Sequence, residues 1–190
     1  MFTAQLSSHL IQEGHEAVLV ALFPANAALP FNGKIIELEG APAKKYWDLK
    51  AWKKLSQIIR EENPDVVQAN AGDTLKYALF SKILFGWKQP VIFRNASTIS
   101  LYIKSGWVKK LYRFLFQKTD RIISVSHASA NDFKNLFPEC RSKINVITIG
   151  IEKDKRVEDK MFQNPFGFFG NGPILLHVGG FSFEKNHQGL

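Results

Sequence analysis

The chain has 190 residues, 45% of them apolar and 13% aromatic, with 25 Lys and Arg against 17 Asp and Glu for a formal charge of +8. This composition is too apolar for a disordered segment and sufficient for a core without staples, and no apolar run of about 18 residues is present to cross a membrane. A single cysteine, Cys140, permits neither an internal disulfide nor a cysteine-built metal site, which suits the cytoplasm.

The spacing predicts a helix over 3–13, with Gly14 at the position of a C-cap. Residues 16–23 are almost continuously apolar, the pattern of a strand buried on both faces of a parallel sheet, and 34–38 reads as a shorter strand. On a helical wheel, Trp47, Ala51, Trp52, Leu55, Ile58 and Ile59 share a stripe about 140° wide, with Lys50, Lys53, Lys54, Gln57 and Arg60 opposite. A helix over about 44–62 is therefore predicted, stopped at Asn63-Pro64 because proline disfavours helix in the residue before it. A strand at 65–69 leads to a helix that Asp73 is placed to cap and that runs to Phe85. Strands at 90–94, 121–125 and 143–148 alternate with helices over 106–118 and 127–136. Repeated strand–helix units imply a doubly wound, Rossmann-like α/β parallel sheet with right-handed crossovers.

Residues 1–150 thus read as one domain. Residues 151–172 lack any period and read as a connector, and 173–190 supply a fresh buried-type strand and a Gly179-Gly180 turn, the start of a second unit. The sequence opens on a helix, so the expected lobe lacks the first, central strand of such a sheet and leaves that strand's neighbours without a partner. Two basic segments, 44–54 and 104–113, interleave Lys with Trp. Solvated helix faces are the plain reading, contact with an anionic membrane is the alternative, and no motif for nucleic acid is present.

Five short passages carry a family resemblance: 10–19 (LIQEGHEAVL), 63–69 (NPDVVQA), 120–126 (DRIISVS), 143–151 (KINVITIGI) and 174–187 (ILLHVGGFSFEKNH). In order and in spacing they resemble motifs of the family 4 retaining glycosyltransferases of GT-B architecture. The resemblance implies transfer of a sugar from a nucleotide-sugar donor to a glycan or lipid-linked acceptor, with retention, and with neither a metal nor another cofactor. It implies acceptor binding mainly on the first lobe and donor binding mainly on the second.

On that resemblance Lys185, with Gly179 and Gly180, falls where the donor diphosphate is held, at a strand-to-helix turn whose free N–H groups and dipole favour an anion. The family commonly has Arg where Gly180 stands, so one expected cation is missing. Arg94 and Asn95 end a strand where the family often has a histidine. The match fails, and Arg94 is left as a candidate for an anionic group and Asn95 for a hydroxyl, with a salt bridge or turn as the alternative. Ser126 is a candidate cleft residue or a helix N-cap. No catalytic residue is assigned. A non-catalytic sugar-nucleotide or acceptor-binding module, and less so a nicotinamide-dependent oxidoreductase, remain as other readings, and the 190 residues alone are expected not to turn over.

Overall fold

Gly14 has a φ of +87°, a left-handed conformation open to glycine, and it ends the first helix where the sequence placed its C-cap. The computed structural model describes residues 2–24, 30–44 and 46–150. The connector at 151–172 and the unit at 173–190, with Gly179, Gly180 and Lys185, lie outside the described residues. In chain order the elements are α1 (Phe2–Gln12), β1 (Val18–Ala21), β2 (Lys34–Glu37), α2 (Leu49–Glu62), β3 (Val67–Ala69), α3 (Gly72–Phe85), β4 (Val91–Asn95), α4 (Gly106–Lys118), β5 (Arg121–Ser124), α5 (His127–Leu136) and β6 (Ile144–Val146).

All strand pairs are parallel. β1 pairs with β2, Leu19 opposite Ile35, and the order β3-β4-β5-β6 sets Ala69 opposite Phe93, Asn95 opposite Ser124, and Ser124 opposite Val146. β1 and β3 do not pair, so the parallel strands form two sheets, and each of these two strands is an edge among the described residues.

Helices flank both faces. Phe93 of β4 meets Phe116 of α4 and Phe133 of α5, with ring centroids 5.2 and 6.5 Å apart, whereas Phe2 of α1 lies on the other face, over Arg94. The main core joins α2 through α5, with Leu75, Leu79, Leu115, Phe116, Ile122, Phe133 and Phe137 fully buried. A small separate cluster of Ala4, Leu19 and Phe31 joins α1 to β1. Two polar side chains fix elements to one another. Ser81 Oγ donates to Trp52 O at 2.7 Å, and Asp120 accepts from Val91 N at 2.7 Å, tying the start of β4 to the start of β5.

Three local expectations are corrected. The 16–23 segment is not buried on both faces: in β1 only Leu19 is buried, because one edge of the strand has no neighbour. The helix expected over 44–62 begins at Leu49, since Asp48 N-caps it by accepting from Ala51 N, and Trp47 leaves the apolar stripe to stand 80% exposed. Asp73 does not cap α3. Ala71 holds that position, with Thr74 Oγ1 accepting from Ala71 N at 2.8 Å, and Asp73 sits in the first turn.

Candidate functional site at the carboxyl edge of the sheets

In a parallel sheet every strand delivers its carboxyl end to the same edge, where the next helix presents free N–H groups, and ligands of such folds collect there. Here that edge carries the turns from β3 into α3, from β4 into α4 and from β5 into α5.

Arg94 is the penultimate residue of β4, opposite Ile123. Its guanidinium carbon lies 3.7 Å from the centroid of Phe2, the first residue of α1, and among the described residues no carboxylate pairs with it. Burial lowers its pKa from the ordinary value. A half-buried guanidinium braced on an aromatic face, with its N–H fork unspent among the described residues, suits an anionic group.

Asn95 stands differently. It is 2% exposed, and its Nδ2 lies 3.4 Å from Ser124 Oγ and 3.3 Å from Ser129 O. That side chain joins β4, β5 and α5 from inside, so the expectation that it meets a ligand hydroxyl gives way to a structural role. Ser126 is the N-cap of α5: its Oγ accepts from Ser129 N at 3.1 Å, and Ser129 Oγ accepts from Ser126 N at 3.2 Å. The cap reading holds.

A second group at this edge went unseen in the sequence. Lys76 of α3 is 2% exposed, its Nζ 2.5 Å from Asp73 Oδ1, 4.5 Å from the Tyr46 ring centroid and 6.0 Å from that of Tyr112. Gly72 gives the Tyr112 hydroxyl room beside it, because a Cβ there would make that ring shift. Burial, then the charge of Asp73 and the neighbouring Tyr46, push the Tyr112 phenol up to about 12. The available signal was a lysine flanked by Leu75 and Tyr77, three positions after an aspartate. Tyr46 also touches Trp107, centroids 6.0 Å apart, so the turn before α2 and the first turn of α4 meet.

A cavity of about 220 Å³ lies by contrast near the amino ends of β1 and β2, between Ser8, Ile11 and Gln12 of α1 and the 31–33 segment. Among the described residues no three His, Cys, Asp or Glu side chains form a group able to hold a metal ion.

Parallel strands flanked by helices define a Rossmann-like α/β lobe. The chain belongs to Glycosyltransferase Family 4, whose sequence profile matches residues 1–155. A search of curated proteins found no match. The fold and the glycosyltransferase reading of the motifs both stand on that match.

Proposed function

We propose that this chain is the acceptor-side lobe, with the beginning of the donor-side lobe, of a retaining, metal-independent glycosyltransferase acting from a nucleotide-sugar onto a glycan or lipid-linked acceptor. The observation that carries the acceptor assignment is the unpaired Arg94 guanidinium at the carboxyl edge, in a chain of this family. Arg94 is suited to a phosphate of the acceptor or of the departing diphosphate, whose growing charge needs cationic and N–H donors when no metal supplies them. Lys185, with the Gly179-Gly180 turn, is assigned the same task from the donor side. Sugar transfer of this kind places the protein at the cytoplasmic side, where nucleotide-sugars are made.

In the full-length protein, Arg94→Gln and Lys185→Ala are each expected to lower kcat/KM at least tenfold, about 1.4 kcal/mol of transition-state stabilisation. A panel of nucleotide-sugars scored by radiolabel transfer tests the reaction, product anomer analysis tests retention, and chelator tests metal independence. An Arg94→Gln enzyme with unchanged kcat/KM removes that residue from the site. The 190 residues by themselves are expected to give no sustained transfer in the same assay.

A further inference from the structure

We infer that the carboxyl edge carries a docking surface for an anionic lipid bilayer, built from the turn before α2 and the segment leading into α4. Two tryptophans mark it. Trp47 is 80% exposed and Trp107 is 64% exposed, while Trp52 and Trp87 are buried. The contact between Tyr46 and Trp107 holds the two segments against each other, so the two exposed indoles belong to neighbouring turns. Leu49 and Leu101, also exposed, add aliphatic surface beside them.

Charge identifies the occupant. From Thr74 to Thr119 the sequence has no acidic residue, and between Gly40 and Arg60 the only one is Asp48, which is buried and engaged with Ala41 N, Ala51 N and the Tyr77 hydroxyl. Lys50, Lys104 and Lys110 are exposed and form no ion pair with any described residue. Exposed indoles and leucines on segments that also carry these lysines fit the headgroup layer of an anionic membrane, where indole rings seat at the interface and lysines meet lipid phosphates. The surface is not the basic helix faces as such: Lys54 of α2 pairs with Glu39, and Arg113 of α4 pairs with Glu139. It is the helix entrances.

Because these entrances share the edge with Arg94, a docked chain meets a membrane-held acceptor at its phosphate. That consequence rests on the proposed function, whereas the docking does not. The test uses the full-length protein without donor, sedimented with vesicles of mixed phosphatidylglycerol and phosphatidylcholine or of phosphatidylcholine alone, and with brominated acyl chains to quench indoles that enter the interface. Binding is expected to the anionic vesicles, weakened by salt, with quenching that falls stepwise in Trp47→Phe and Trp107→Phe. Lys104→Glu with Lys110→Glu is expected to lower binding by about tenfold or more. Trp47→Ser alone, at the most exposed position, keeps the melting temperature of the parent and still binds more weakly.

Equal partition of Trp47→Ser and parent, absence of quenching, or binding to an oligonucleotide in place of vesicles overturns the docking surface. Vesicle binding by a protein that transfers no sugar supports the docking and sinks the transferase reading. Transfer to a soluble acceptor by a protein that ignores vesicles does the reverse.

Discussion

The two-stranded sheet of this lobe is at least as apolar in sequence as the four-stranded one, yet the two end in different states. In the four-stranded sheet, β4 and β5 have a hydrogen-bonded neighbour on each edge, and Val91, Phe93 and Ile122 are at most 4% exposed. In the two-stranded sheet, β1 has one neighbour, and three of its four residues, Val18, Val20 and Ala21, are only half-buried. Apolar side chains set which segments seek burial, but the number of neighbours sets how much burial they obtain. A polar joint also lies near the two-stranded sheet: Asp48 accepts from Ala41 N, just past β2, from Ala51 N in α2 and from the Tyr77 hydroxyl in α3.

The sharpest test of this contrast is a pair of truncations. Phe116 is fully buried against Phe93, Phe133, Phe137 and Tyr112, so Phe116→Ala is expected to cost about 3–5 kcal/mol, and Leu19→Ala distinctly less, at the low end of the range for a leucine. Urea unfolding measures both, and equal losses would break the comparison.

Asp48→Ala follows, at about 2–3 kcal/mol, because it removes the α2 cap and strands two N–H donors and a buried hydroxyl. Its pH signature has a definite sign. Burial raises the Asp48 pKa, but the Ala41 and Ala51 N–H groups, the Tyr77 hydroxyl and the Lys44 charge outweigh it and leave the carboxyl below its ordinary 3.8. The folded state therefore binds this proton less readily than the unfolded one. The contribution is full above 3.8 and fades as pH falls through the lower folded value, and Asp48→Asn should flatten that part of the acid limb.

Hydrogen exchange gives the next contrast. Amides of β4 and β5 are expected to exchange only with global unfolding, and those of β1 at least about tenfold faster, roughly 1.4 kcal/mol lower in opening free energy. Uniform protection would show one cooperative sheet. Smallest is Ser126→Ala at the α5 cap, expected to cost about 1 kcal/mol in a thermal melt while leaving β1 exchange unchanged.

Much of the fold was legible because each cue was local. The helices at 106–118 and 127–136 appear as α4 and α5 with those bounds, Asn63 closes α2 with a φ of +40°, and β6 falls inside the strand expected at 143–148. The candidate site was legible only in part. Arg94 and Ser126 could be placed at strand ends from spacing, yet spacing did not distinguish the free guanidinium of Arg94 from the buried amide of its neighbour Asn95. Alternation along β4 makes that choice: Asn95 shares a face with Val91 and Phe93, toward α4 and α5, while Arg94 faces α1. Trp47 was misplaced because the wheel treats 47 as helical, whereas the Asp48 cap starts the helix two residues later.

The sequence by itself determined the α/β alternation and the family, since hydrophobic period, caps and short motifs are properties of adjacent residues. Tertiary structure alone decided that the sheet stands in two pieces, that Lys76 sits between two tyrosines, and that Tyr46 meets Trp107. Those outcomes depend on contacts between residues up to some sixty positions apart, and such contacts form only once strands have chosen neighbours and helices have closed over them.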